Sequence, residues 1–149
     1  MKNKILTYGI WVVLIGLLAG ICIAIYMFNK PKRDISNTKP EYTVTAEQLL
    51  TEFTKNEQAA NAKYLSASGG KVIQVLGIVA EINQQGDTTL TISLKGLSDS
   101  QRINCSMEKT GIPEAKSLKA GDKVSIKGEC TGYLDITNEV SMVNCIYEK

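Results

Sequence analysis

Leu118-Lys-Ala-Gly-Asp-Lys-Val-Ser-Ile-Lys-Gly-Glu-Cys-Thr-Gly-Tyr133 decides how this chain is read. Ala120-Gly121-Asp122 supplies a tight turn in which Gly121 is free to take a positive φ. A strand follows. Val124, Ile126, Gly128 and Cys130 share one face at period two, and Ser125, Lys127 and Glu129 share the other. Gly128, bare in mid-strand, marks a bend or a close backbone approach.

Working outward, Lys71 to Ile82 is a long run rich in Val and Ile and broken by Gly77. A strand this long with a central glycine can coil and serve both halves of a small barrel. Asn83–Asp87 turns the chain. Leu90, Ile92 and Leu94 alternate with Thr89, Thr91 and Ser93; then Ile103, Cys105 and Met107 alternate with Arg102, Asn104 and Ser106. Lys109 to Ser117 reads as a loop or single helical turn. Val140 to Tyr147 is the closing strand. Five short strands, the first of them long, with a non-strand link between the third and fourth, predict a five-stranded OB barrel.

Ahead of the barrel, Thr45 and Gln48 form a capping box, and Leu49, Phe53, Ala60 and Tyr64 make one apolar stripe. This predicts a single helix over about 45–64 that packs against the barrel. Asn56 falls on the stripe and is expected to make a helix-to-strand hydrogen bond.

Residues 5–28 carry no charge. As a helix they would be about 36 Å long, enough to cross a bilayer core of about 30 Å. The expected organisation is an N-terminal tail at 1–4, a single-pass transmembrane helix at 5–28, a linker at 29–43 and an OB domain at 44–149. Gly16 and Gly20 have the small-xxx-small spacing that lets two such helices pair, which points to a homodimer.

Five of the 17 basic residues flank that apolar run, and all 15 acidic residues lie from Asp34 onward, so the chain from Asp34 onward carries a net charge of −3. That weighs against nucleic acid as the partner. There is no histidine, and no cysteine pair has metal-ligand spacing. No nucleophile-base pair or phosphate loop is visible. An enzyme, a metal and a cofactor are therefore not expected.

The chain resembles the tRNA-anticodon-binding-like (tRNA_anti-like) OB-fold family of small membrane-anchored or secreted bacterial proteins. The resemblance covers roughly Tyr42 to Ile146. It is carried by Tyr42-Thr-Val-Thr-Ala-Glu-Gln-Leu-Leu50, Asn56-Glu57, Tyr64, Val75-Leu-Gly-Ile-Val79, Leu118-Lys-Ala-Gly-Asp-Lys-Val124, Cys130-Thr-Gly-Tyr133 and Val143-Asn-Cys145. It implies an OB barrel and a bacterial cytoplasmic-membrane location. Its name points to nucleic acid by fold analogy alone.

OB barrels bind single strands on the outer face of strands two and three, by stacking bases on aromatics beside basic residues. The outward positions here are Thr89, Thr91, Ser93, Arg102, Asn104 and Ser106, with one cation and no aromatic. The favoured reading is a non-enzymatic binding or scaffolding module of the cell envelope with a protein or glycan partner. The alternative is a single-stranded nucleic-acid-binding protein. Candidate ligand positions are Arg102 and Asn104 on that face and Tyr133 and Asp135 in the following loop.

Cys130 and Cys145 fall nearly opposite each other if their strands form a hairpin centred near Ile136 to Asn138. A cross-strand disulfide is then expected, which would place the OB domain on the extracytoplasmic side. Cys105, in phase with Ile103 and Met107, is expected to be buried and reduced.

Overall fold

A computed structural model describes residues 13, 15–26, 34–66 and 69–148. From Asp34 onward the chain forms one compact unit. Its elements are β1 (Tyr42–Thr45), α1 (Ala46–Lys55), α2 (Glu57–Tyr64), β2 (Leu65–Ser66), β3 (Gly69–Gly70), β4 (Val72–Gln85), β5 (Thr89–Lys95), β6 (Arg102–Met107), α3 (Ile112–Ala115), β7 (Lys123–Leu134) and β8 (Glu139–Glu148).

The long strand β4 closes the barrel. Its first half, Val72 to Ile78, pairs antiparallel with β7, and its second half, Val79 to Gln85, pairs antiparallel with β5. Gly77 lies where the strand changes partner. A Cβ there would meet Ala46 Cβ and Leu94 Cδ1 at 3.2 Å, so the start of α1 and β5 press on this bare position. Around the ring the order is β4-β5-β6-β8-β7 and back to β4, with β6 and β8 parallel. This is the predicted five-stranded closed barrel, preceded by helix. Gly121 takes φ +94°, as its turn requires, and its N–H donates to Val79 O at 2.8 Å.

Alternation decides what is buried. Val75, Ile92, Leu94, Ile103, Ile126, Val140 and Met142 are all at most 1 % exposed. The helices cover one opening of this core: Leu49, Leu50, Phe53 and Tyr64 are equally enclosed. The predicted single helix is in fact two. Asn56 leaves the helical region (φ −157°, ψ 90°), and its Oδ1 accepts from Ala59 N at 3.0 Å. It caps α2 and makes no helix-to-strand bond, because asparagine competes for backbone donors best at a helix start. Thr45 caps α1 as expected, accepting from Gln48 N at 3.1 Å. The Gln48 side chain turns instead to Glu52, at 3.1 Å, so the box is half made.

Part of the segment read as linker packs on the barrel. Residues 42–45 form β1, parallel to β4. Ile35 is fully buried. The Asp34 carboxylate ties the turn around it, accepting from Ser36 N at 3.0 Å and Asn37 Nδ2 at 2.8 Å. Lys127, 5 % exposed, reaches up from β7 to Ser36 O at 3.2 Å and to Glu148 at 2.5 Å. Lys127→Ala strands that carbonyl and weakens the hold on Glu148. It is expected to cost about 2 kcal/mol in urea unfolding, with Lys127→Met, which keeps the packing, costing less. Equal losses for the two variants would remove the packing part of this account and leave the electrostatic part alone.

Residues 5–12, 14, 27 and 28 of the predicted membrane span, 5–28, lie outside the described residues. Val13 and residues 15–26 are helical. Among the described residues, no helix is long and apolar enough to cross a membrane. Gly16 and Gly20 lie on this helical stretch, where a Cβ on either would touch nothing within 4 Å.

The cysteine expectation is corrected. Cys130 and Cys145 are both free. The hairpin closes on Leu134 and Glu139, within the expected centre of Ile136 to Asn138, but a register shift between Cys130 and Gly132 carries Cys130 opposite Met142. Asn144, at φ +51°, bulges the partner strand. Cys145 then faces Gly128, two positions along the same side, with its sulfur 2.5 Å from where a Gly128 Cβ would stand. Gly128 is thus the close approach its position predicted, and the atom it admits is a thiol.

Candidate binding face

The outer face of β5, β6 and β8 is built in rows by register. Ser93 lies opposite Asn104, Asn104 beside Ser141, and Ser141 opposite Gly132. Ser93 Oγ donates to Asn104 Oδ1 at 2.7 Å, and Ser93 is 8 % exposed. One row toward the loops, Lys95 lies opposite Arg102, Arg102 beside Glu139, and Glu139 opposite Leu134. Thr91 and Ser106 pair on the other side. The middle of the face is therefore small, neutral and hydrogen-bonding. Its charges gather at one end, where two cations are followed by an anion.

Arg102 and Asn104 stand on this face, as predicted. The guanidinium is partly occupied, since its Nη1 donates to Gln101 O at 2.8 Å and to Ser98 O at 3.4 Å. Tyr133 turns the other way. Its ring stacks on Phe53 at 5.8 Å and 19°, closing the barrel end, and its hydroxyl donates to Asn138 Oδ1 at 3.0 Å. Asp135 is exposed at the hairpin tip, next to Ile136, which is 97 % exposed. The turn expected at Asn83–Asp87 is shorter, at 86–88, because β4 stays paired with β5 as far as Gln85, and it stands apart from them. It joins β4 to β5 at the Thr89 end, whereas residues 134–139 meet the face at the Lys95–Arg102 end.

Three exposed apolar side chains at that end had not been singled out. Leu134 is 53 % and Leu97 57 % exposed, and with Ile136 they project from the two hairpins that meet the Lys95–Arg102–Glu139 row. A signal was present in the sequence. Leu134-Asp-Ile-Thr-Asn138 places two large aliphatics in a turn, where polar residues serve better.

Inside the barrel, Cys105, Cys130 and Cys145 are each 0 % exposed. Burial pushes the Cys130 thiol up to about 11. Burial, and then the Cys105 thiol beside it, raise Cys145 well above the ordinary range. Such thiols are inert near neutral pH. Because their acidity is suppressed only in the folded state, they add stability that is fully present below pH 9 and is lost as pH rises toward 11. Thermal unfolding between pH 8 and 11 should show a falling Tm, and Cys130→Ala should flatten the slope. An unchanged slope would mean that other groups carry the alkaline transition. Among the described residues, no cluster of three Cys, His, Asp or Glu side chains could hold a metal ion.

A closed five-stranded barrel with this strand order, a helix over one opening and an outer face on the second, third and fifth strands is an OB fold. The chain belongs to the tRNA_anti-like family, whose profile matches residues 1–146. Among solved structures, it is similar to a Klebsiella pneumoniae protein named "putative nucleic acid-binding lipoprotein": 20% identity, TM-score 0.57, covering 80% of this chain and 100% of that one. Weaker likenesses are to a chain of the S. pombe Stn1-ten1 complex (14% identity, TM-score 0.40, 52% and 58% covered) and to Entamoeba histolytica asparaginyl-tRNA synthetase (17%, 0.41, 52% and 20%). No curated protein matches the chain.

Proposed function

We propose that this protein is a membrane-anchored, non-enzymatic OB module of the bacterial cell envelope, and that its barrel binds a protein partner through the Lys95–Arg102–Glu139 end of its outer face. The observation that carries the reading is the trio Leu97, Leu134 and Ile136, exposed beside a row of mixed charge. Apolar side chains ringed by polar ones are what a protein interface buries. The neutral centre of the face also suits glycan hydroxyls. A single-stranded nucleic acid wants flat aromatics beside its cations, and the face has no aromatic side chain and an Arg102 whose Nη1 is taken by Gln101 O. The name of the Klebsiella protein favours the nucleic-acid reading. At 20% identity, that name passes on less than the face itself does.

Anchoring rests on the uncharged run 5–28 and on the exposed aliphatics of the helical stretch 15–26, among them Ile15, Leu18 and Ile23 at 61 % each. The loss of the Cys130–Cys145 bond withdraws the main argument for an outward-facing domain, so the side of the membrane becomes part of the test.

The experiment combines three readouts on the full chain. Alkaline carbonate should leave it in the membrane, and protease added outside intact cells should digest the barrel. A photo-crosslinker at Ile136 should give discrete adducts that one at Thr54, on α1, does not. A salt-sensitive gel shift with single-stranded DNA or RNA, weakened by Arg102→Ala, would replace the protein-partner reading with the nucleic-acid one.

A further inference from the structure

A groove of about 690 Å³ opens on the outside of the barrel and meets the face just described at Lys95. Its floor holds Leu76 and Ile78 of β4, 42 % and 38 % exposed, and its rim carries Lys95 and Lys123, both exposed. Outward positions of a barrel strand are ordinarily polar, so two adjacent outward aliphatics left uncovered on β4 need a partner.

The polar partners of the groove connect it to the start of the compact unit. Gln74 Nε2 donates to Ser125 Oγ at 2.8 Å and to Glu148 Oε2 at 3.0 Å, and both acceptor residues line the groove. Glu148 is also paired with Lys127, which holds Ser36 O. The strap that begins at Asp34 is thus fastened beside the groove. From Phe28, the last residue of the uncharged run, to Asp34 there are six Cα steps, about 20 Å at full extension. Lys30, Lys32 and Arg33 lie in that short connection.

We propose that the groove bounded by Leu76, Ile78, Lys95 and Lys123 is a second membrane contact, which takes the headgroup and glycerol region of anionic phospholipids. This rests on the anchored reading above. Aliphatics beside lysines suit an interface, where stems bury and ammonium groups stay at phosphate depth. Glu148 on the rim is matched by Lys127 at 2.5 Å. Glu47, also on the rim, is the one opposing charge the two lysines must outweigh.

The test uses the full chain with Cys22→Ser and Ile78→Cys, carrying an environment-sensitive fluorophore at position 78, in bilayers of phosphatidylcholine with or without phosphatidylglycerol. The three remaining cysteines are buried and stay unlabelled. The expected result is a blue shift that grows with phosphatidylglycerol and is lost in Lys95→Gln/Lys123→Gln. Equal emission in neutral bilayers, anionic bilayers and detergent would overturn the proposal. So would a shift that follows protein density and not lipid charge, which would mark the groove as a contact between copies of the chain.

A second arm separates this outcome from failure of the anchor. Residues 34–149 hold every buried apolar side chain among the described residues and should fold alone. Partition of that fragment onto phosphatidylglycerol vesicles should fall about thirtyfold in the same double variant, at roughly fivefold per lysine near an anionic surface. An unaltered partition would also overturn the proposal. A full chain that washes off in carbonate would sink the anchor, while the fragment would still decide the groove.

Discussion

Gly128→Ala is expected to lower the stability of the barrel by about 3 kcal/mol, at the upper end of overpacking costs. The added methyl would stand 2.5 Å from Cys145 Sγ, 3.1 Å from Val143 O and 3.2 Å from Cys145 Cα. Two of those neighbours are backbone, and the thiol is enclosed on every side, so none can step away cheaply. For a unit of this size the loss corresponds to a Tm lower by about 10–15 °C. The sharper result is the double variant. Cys145→Ala alone removes a buried sulfur and costs about 1 kcal/mol. Combined with Gly128→Ala it removes the hardest of the three clashes, so the pair should be less destabilised than the sum of the singles, by about 1–2 kcal/mol of coupling. Strict additivity in urea unfolding of residues 34–149 would show that the sulfur is not what keeps position 128 bare.

Phe53→Ala should cost about 4 kcal/mol, the usual range for an enclosed aromatic. Phe53 is 1 % exposed and lies between Tyr64, 5.8 Å away, and Tyr133, stacked at 5.8 Å. It ties the helix pair to the β7–β8 hairpin. Its loss leaves a cavity at the barrel opening and frees Tyr133 from its stack. The second consequence is measurable by itself: amides around 134–138 should exchange faster in Phe53→Ala than in Leu50→Ala, a truncation of matched burial. A cost below about 1 kcal/mol would mean that α1 and α2 do not seal the barrel. Glu52 supports the same corner. Burial acts to raise its carboxyl, but hydrogen bonds from Lys63, Tyr64 and Gln48 outweigh that and hold it below the usual range. The Tyr64 hydroxyl meets it at 2.9 Å.

The barrel was legible because its information is local. Alternation in Thr89–Lys95 and Arg102–Met107, the length of β4 with Gly77 inside it, and the turn at Gly121 each state a strand, a coil or a reversal within a few residues. The outer face was legible to the same extent: Arg102 and Asn104 fall on it because side chains alternate strictly. Outward position could not report that Arg102 donates to Gln101 O, or that Tyr133 turns inward onto a helix 80 residues away.

The sequence by itself determined five strands in OB order, a capped helix before them, an uncharged N-terminal run and a chain without histidine. Tertiary structure alone decided the pairings of single residues. One-residue shifts in β7 and β8 took Cys145 from Cys130 and set it over Gly128. A backbone break at Asn56 folded one predicted helix into two. The buried reach of Lys127 turned a predicted linker into a strap. For the cysteines and for Lys127 the deciding energy is a contact between residues far apart in the chain, of which periodicity carries no trace; at Asn56 it is a local cap on Ala59 N, which apolar periodicity does not record either.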